Sequence, residues 1–139
     1  EPCKARIDLH CGLGVADIKT TRNPAPHAFA QSYARYGYHM QAAWYLEGWA
    51  QLTGEAPTFH LLCPQNVEPH YVAVYEVPEA DIFDGRQANE AALDTLLECR
   101  AVNVWPGPYE EQIETIRMPA WAVPDDEVEL TFGGERLEA

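Results

Sequence analysis

The sequence predicts an α/β fold, because short strand patterns alternate along it with long segments of helix-forming residues. Its 139 residues, 47% of them hydrophobic, supply enough apolar side chains for one compact core. Clusters of glycine and proline separate the segments and mark where one element ends and the next begins. These three observations together indicate a single α/β domain.

The first half of the chain is expected to contain two strands and a divided helix. Strand patterns cover residues 3–10 and 14–20, and a turn that contains two glycines separates them. Helix formers with apolar side chains at three-to-four spacing then occupy residues 27–53. Pro26 suits the first position of this helix, and Gly37 divides it into a shorter and a longer part.

The second half of the chain repeats the alternation of strands and helices. Gly54 is a natural cap for the preceding helix, and residues 58–63 and 71–77 have the pattern of two further strands. A second long helix is expected from Pro78 or Glu79 to about residue 102.

Two carboxylates and a lysine fall on the first two predicted strands. Side chains alternate between the faces of a strand, so Asp17 and Lys19 must point to the same side. If the two strands pair, Asp8 reaches the same place from its neighbour. Two carboxylates beside an amine can bind a divalent metal and orient an attacking water molecule. An isolated Asp-x-Lys is more often an ordinary exposed ion pair, and that alternative remains open for these residues alone.

The net charge of −13 limits any interaction with nucleic acid, because surfaces that bind phosphate are usually basic. Part of this excess is local: residues 124–139 contain six acids and one arginine, which predicts a loosely held acidic tail after a domain at residues 1–123. Contact with DNA would need a local groove. The cations nearest to the two carboxylates in sequence are Arg6, Lys19, Arg22 and Arg35.

Cysteine usage and hydropathy predict a cytoplasmic protein. The four cysteines are scattered, with no Cys-x-x-Cys pair, and we expect reduced thiols. No run of about 18 apolar residues is present, so no membrane span is expected. The first residues lack the pattern of a signal peptide and do not include an initiator methionine, which suggests a processed chain or a piece of a longer one.

Two motifs resemble those of the PD-(D/E)xK nuclease superfamily, and within it those of the RecE-type (exonuclease VIII) and related phage exonucleases, a branch of the RecB-like nucleases. The first is Asp8 followed by Asp17-Ile18-Lys19-Thr20-Thr21. The second is Tyr36-Gly37-Tyr38-His39-Met40-Gln41-Ala42-Ala43-Trp44-Tyr45, which contains a Gln-x-x-x-Tyr pattern. The resemblance extends over about residues 3–123.

This resemblance implies a restriction-endonuclease-like core, in which helices flank a mixed central β-sheet, and metal-dependent hydrolysis of DNA. Asp8, Asp17 and the backbone carbonyl of Ile18 would be ligands to Mg²⁺ or Mn²⁺. Lys19 would position the water and offset charge in the transition state. Gln41 and Tyr45 would complete the set of catalytic residues, with Gln41 orienting Lys19 or the DNA backbone from one helix face.

The resemblance also implies partners. The expected substrate is linear double-stranded DNA in phage-type recombination, and such nucleases often assemble as homo-oligomers. The residues expected to contact DNA are Arg6, Thr20, Arg22 and Arg35.

The sequence departs from the family pattern in one respect. RecB-like and RecE-like nucleases carry a metal-binding histidine and further helices before the first aspartate, whereas seven residues precede Asp8 here. We therefore expect either the remainder of a longer nuclease or a pared-down relative, with apolar sheet surface left for another copy or a partner. The alternative function is a catalytically incomplete nuclease fold that serves as a binding or assembly module, or an acidic DNA mimic.

Overall fold

The computed structural model of the chain describes residues 2–11, 14–107, 113, 115–119, 122, 131–132 and 135–136. The chain divides into two compact units, Glu1–Val104 and Trp105–Ala139. The first unit contains the predicted sheet and helices, and the candidate site lies within it.

A mixed four-stranded sheet forms the centre of the first unit. Its strands are β1 (Leu9–Cys11), β2 (Gly14–Ile18), β3 (Phe59–Pro64) and β4 (Val72–Glu76), in the spatial order β1-β2-β3-β4. The β1–β2 and β3–β4 pairs are antiparallel, whereas β2 and β3 are parallel. A parallel pair needs a long crossover connection, and the helices between β2 and β3 supply it. The predicted α/β architecture with a mixed sheet is confirmed.

The helices are α1 (Pro26–Arg35), α2 (Tyr38–Thr53) and α3 (Glu79–Val102). Pro26 occupies the start of α1, as predicted. Gly37 separates α1 from α2 with a left-handed backbone at φ 61°, a conformation that glycine adopts without steric cost. Gly54 caps α2 in the same left-handed region. None of the described helices is both long and apolar enough to cross a membrane.

The prediction of a strand over residues 3–10 was wrong at its beginning. Only Leu9–Cys11 pair with β2, and the residues before Asp8 are irregular. One backbone acceptor in this segment is satisfied by a helix side chain, since Trp44 donates its indole N–H to the carbonyl of Lys4 at 3.2 Å. A segment with a strand pattern becomes a strand only if a neighbouring strand pairs with it. None of the described residues before Asp8 pairs with a strand, and Lys4 bonds to helix α2 instead.

The hydrophobic core lies between one face of the sheet and the helices. Buried and half-buried residues alternate along β3, so Phe59, Leu61 and Cys63 all point inward. Phe29 from α1 and Ala42 from α2 complete the buried cluster on the helix side. This packing places α2 directly over β2 and β3, which decides what surrounds the side chains of β2.

The opposite face of the sheet carries exposed apolar side chains. Ile18 pairs with Leu62, which pairs with Val74, so the three residues share this face. The exposed fractions are 51% for Ile18, 59% for Val74 and 61% for Val72. The expectation that the sheet leaves apolar surface uncovered is confirmed for the described residues.

The second unit contains two short antiparallel strands, β5 (Thr131–Phe132) and β6 (Glu135–Arg136). They fall in the segment where the sequence predicts a loosely held acidic tail, so part of that segment has local pairing.

Candidate active site

The antiparallel pairing of β1 and β2 brings the two carboxylates together. Leu9 lies opposite Ala16, so Asp8, immediately before β1, comes next to Asp17. The carboxylate of Asp8 accepts a hydrogen bond from the backbone N–H of Ile18 at 3.1 Å, which ties Asp8 to the strand that carries Asp17. The predicted meeting of the two acids is therefore present in the structure.

Asp17 and Lys19 form an ion pair on the same side of β2. Lys19 Nζ lies 2.6 Å from Asp17 Oδ2, and Asp17 is only 3% exposed. The backbone N–H of Lys19 donates to the carbonyl of Leu62 at 2.8 Å, which continues the pairing with β3 past the end of β2. The short contact with the ammonium is a charge-assisted pair, and it gives the buried Oδ2 a cationic partner.

Helix α2 contacts the same carboxylate from above the sheet. Gln41 Nε2 donates to Asp17 Oδ1 at 3.2 Å and to the hydroxyl of Tyr45 at 3.0 Å. Positions 41 and 45 are one helical turn apart, so both side chains lie on one face of α2, as predicted. The hydrogen bond goes to Asp17, where the family resemblance implied Lys19 or DNA. Tyr45 also packs edge-on against Phe59, with ring centroids 6.2 Å apart, and thus belongs to the core as well.

Tyr38 was missed as a site residue by the sequence analysis. Its ring lies below the ammonium of Lys19, with Nζ 4.6 Å from the ring centroid, a cation–π distance. Tyr38 precedes Gln41 by three positions, and residues three apart share a helix face. The three-residue spacing from Gln41 could have identified Tyr38 from the sequence. Aromatic residues near the start of a helix are, however, also ordinary core residues.

The surroundings of Asp17 disfavour its charged form. Burial raises the pKa of Asp17 above its ordinary value of 3.8, the ion pair with Lys19 opposes this, and the nearby carboxylate of Asp8 adds to it. Together these effects leave the pKa of Asp17 above its ordinary value. An ionised Asp17 is thus stabilised only in part by its neighbours, and further positive charge at this position would stabilise it.

Over residues 1–119 the chain matches the family described as a PDDEXK-like domain of unknown function (DUF3799). The chain belongs to this family. The match confirms membership of the PD-(D/E)xK superfamily, and the mixed sheet with three helices agrees with such a core. A search of curated proteins found no match.

PDDEXK-like domains generally use divalent metals, and the carboxylates of this one fit such an ion. Within the described residues, no group of three or more His, Cys, Asp or Glu side chains is placed to hold a metal. Magnesium, however, is usually held by one or two carboxylates, with waters and substrate phosphates as its other ligands. Asp8 and Asp17 supply two neighbouring carboxylates, and Asp17 Oδ2 is already paired with a cation, the Lys19 ammonium, at 2.6 Å. The donor set therefore suits a hard divalent cation.

The residues expected to contact DNA do not form one group with the two carboxylates of this PDDEXK-like domain. Arg6, Thr20 and Arg22 are exposed, and no hydrogen bond or ion pair between described residues joins their side chains to those of Asp8 or Asp17. Arg35 is exposed as well, and its guanidinium carbon lies 5.8 Å from the ring centroid of Tyr36. The structure brings together Asp8, Asp17, Lys19, Gln41 and Tyr45, and leaves Arg6, Thr20, Arg22 and Arg35 at the surface.

Proposed function

We propose that this PDDEXK-like domain is a metal-dependent DNA exonuclease of the RecE type, which hydrolyses phosphodiester bonds of linear double-stranded DNA in phage-type recombination. The observation that carries the proposal is the burial of Asp17 between the Lys19 ammonium and the Gln41 amide, with Asp8 beside it. Carboxylates with a raised pKa beside a charged partner cluster at catalytic sites, which supports the proposal together with this geometry.

The acidic residues and one backbone group would hold the metal. Asp8, Asp17 and the carbonyl of Ile18 are the proposed ligands, and Mg²⁺ or Mn²⁺ is the proposed ion. When bound, such an ion would polarise phosphate oxygens and lower the pKa of a bound water. The backbone hydrogen bond from Ile18 to Asp8 would keep the first carboxylate in position for this task.

Lys19 is the proposed electrostatic and positioning group. Its side chain is 17% exposed, and its contacts with Asp17 and Tyr38 fix the position of the ammonium. A fixed cation at this place can orient the attacking water and stabilise the negative charge that builds on the phosphate in the transition state. Gln41 and Tyr45 are positioning residues. Gln41 orients Asp17 through its hydrogen bond, and Tyr45 orients Gln41 by accepting a second one.

The uncovered sheet face supports an assembly. We propose that the chain works as a homo-oligomer or as part of a longer nuclease, since Ile18, Val72 and Val74 form an exposed apolar group.

Light scattering over a range of concentrations tests this: Val74→Lys should lower the average mass, whereas Leu52→Lys, at a position 88% exposed on α2, should not. A monomer at all concentrations, or equal effects of the two variants, would contradict the homo-oligomer. A cytoplasmic location fits this role, and among the described residues no disulfide joins the cysteines to one another.

Cleavage of an end-labelled linear duplex tests the activity. With Mg²⁺ or Mn²⁺, the full chain should release nucleotides, and Asp17→Asn or Lys19→Met should lower the rate at least about a hundredfold. Asp94→Asn is the matched control, because Asp94 is exposed on α3 and far along the sequence from the site. The proposal fails if the duplex stays intact with both metals, or if Asp17→Asn cleaves as fast as Asp94→Asn.

A second candidate function is a binding module, such as an acidic DNA mimic, and the net charge of −13 is the observation that favours it. The two functions differ in their dependence on metal. Isothermal titration with Mn²⁺ should give heat for the native chain and little for Asp17→Asn if the site holds a metal. A mimic should show no difference between the two and should not bind DNA at any ionic strength.

A further inference from the structure

A line of aromatic rings connects Lys19 to the surface. The ring of Tyr38 lies 4.6 Å from Lys19 Nζ, and the ring of Tyr36 stacks on Tyr38 with centroids 5.8 Å apart and an interplanar angle of 28°. The guanidinium carbon of Arg35 lies 5.8 Å from the Tyr36 centroid. We call the two rings the Tyr36–Tyr38 stack; a cationic side chain contacts each of them.

The break between α1 and α2 creates the stack. Tyr36 caps the end of α1, Tyr38 begins α2, and Gly37 between them has φ 61°. This left-handed residue turns the chain so that two side chains only two positions apart come face to face. A Cβ atom at position 37 would also meet Met40 Sδ at 3.3 Å, so other residues fit this turn poorly.

The outer member of the stack is available to a ligand. Tyr36 is 62% exposed, whereas Tyr38 is half-buried and packs against the core, with its ring 6.1 Å from that of Phe29. An exposed aromatic ring contributes little to the core, but it offers a flat surface on which a nucleobase can stack. Neighbouring cations favour this further, since they attract the phosphates that flank the base.

We propose that the Tyr36–Tyr38 stack receives an unpaired nucleobase of the DNA strand whose phosphate lies at Lys19. The inference rests on the proposed nuclease function and adds to it the form of the substrate at the site. A base inside a duplex is covered on both faces by its neighbours, so away from a DNA end it reaches a tyrosine ring only after it leaves the helix. At a blunt end only the outer face of the terminal pair is open, whereas an unpaired terminal base is free to turn onto the Tyr36 ring. The domain would therefore act on the terminal, unpaired nucleotide of a DNA end.

Binding of short DNAs to the full chain tests this proposal, with Ca²⁺ in place of Mg²⁺ and anisotropy as the readout. The probes are a labelled single strand, a blunt duplex, and the same duplex with two unpaired terminal nucleotides. The native chain should bind the single strand and the frayed duplex more tightly than the blunt duplex. Tyr36→Ala should weaken binding of the first two about tenfold, whereas Tyr36→Phe, which keeps the ring, should change it less than about twofold.

A spectroscopic probe separates stacking from a general effect on structure. A terminal 2-aminopurine should lose fluorescence on binding to the native chain and to Tyr36→Phe, because stacking quenches it. It should stay bright with Tyr36→Leu, which keeps apolar bulk at position 36 but has no aromatic face. Circular dichroism should show the same melting temperature for all three variants within a few degrees, since the ring of Tyr36 is mostly exposed.

Several outcomes would overturn the proposal. These are unchanged affinity in Tyr36→Ala, equal losses in Tyr36→Ala and Tyr36→Phe, or tighter binding of the blunt duplex than of the frayed one. If Asp17→Asn abolishes cleavage while Tyr36→Ala leaves both cleavage and binding intact, the stack proposal fails and the nuclease function stands. If the chain neither cleaves nor binds any of the probes, both fail.

Discussion

Gln41 Nε2 donates a hydrogen bond to Asp17 Oδ1 at 3.2 Å, and this contact joins helix α2 to strand β2 at the candidate active site. The same amide nitrogen donates to Tyr45 at 3.0 Å, which restricts the rotation of the Gln41 side chain. Asp17 is thus oriented from a helix, while its own strand supplies the lysine that neutralises it. Asp17 is a proposed metal ligand, and a side chain that orients such a ligand affects metal affinity without touching the metal.

Replacement of Gln41 should therefore weaken metal binding. We expect Gln41→Leu to lower the affinity for Mn²⁺ by about 10–100-fold in isothermal titration, because Asp17 loses its orienting donor. Gln51→Leu is the control: Gln51 lies on the same helix, but it is exposed and bonds only to Glu47 among the described residues. Equal affinities of Gln41→Leu and Gln51→Leu would show that the hydrogen bond to Asp17 has no such role.

The metal-free chain should become more stable when Asp17 loses its charge. Burial raises the pKa of Asp17 above 3.8, so at pH 7 the ionised side chain disfavours the folded state relative to the unfolded one. Asp17→Asn removes that cost and can still accept the hydrogen bond from Gln41. We expect a higher melting temperature for Asp17→Asn at pH 7 in the presence of EDTA.

The direction in which stability changes with pH follows from the same raised pKa of Asp17. Protonation of Asp17 stabilises the fold, so the advantage of Asp17→Asn should shrink as the pH falls through the raised pKa and should be lost below about 3.8. Thermal melts between pH 7 and pH 4 measure this, with Asp94→Asn as an exposed control. A lower melting temperature of Asp17→Asn at pH 7 would mean that the ion pair with Lys19 outweighs burial.

Two helical glycines should respond in opposite directions to alanine. A Cβ atom on Gly85 of α3 would lie 2.4 Å from the backbone oxygen of His39 on α2, so Gly85→Ala must push the two helices apart. We expect a loss of about 1–3 kcal/mol in the free energy of unfolding. At Gly48 the nearest atom is Ala5 Cβ at 4.0 Å, and Gly48→Ala should stabilise α2 by about 0.5–1 kcal/mol. Urea denaturation measures both, and equal signs would contradict the close packing of α2 and α3.

The four cysteines should differ in reactivity. Cys63 on β3 is fully buried, and burial raises the pKa of its thiol to about 11, whereas Cys11 is exposed. Because the thiolate is the reactive form, iodoacetamide at pH 8 should modify Cys11 and leave Cys63 unmodified in the folded chain. Peptide mass mapping before and after denaturation measures this. Modification of Cys63 at the rate of Cys11 under native conditions would contradict the burial of β3.

Much of the site could be predicted from local sequence. The two-residue spacing of Asp17 and Lys19 places both side chains on one face of any strand, and the four-residue spacing of Gln41 and Tyr45 places both on one face of any helix. Helix ends were equally predictable at Pro26 and Gly37, because proline suits a first turn and glycine adopts a left-handed backbone. These are properties of the backbone over a few residues, so no distant contact is needed to determine them.

The tertiary structure alone decided what surrounds these residues. The predicted strand at residues 3–10 shortened to Leu9–Cys11, because pairing depends on where β2 lies and not on the pattern of one strand. The burial of Asp17 depends on the parallel pairing of β2 with β3, more than 40 residues apart in sequence, and on the packing of α2 over both. The contact of Lys19 with Tyr38 has the same origin. Local periodicity determines the face on which a side chain lies, whereas its partners, its burial and its pKa depend on chain segments that only folding brings together.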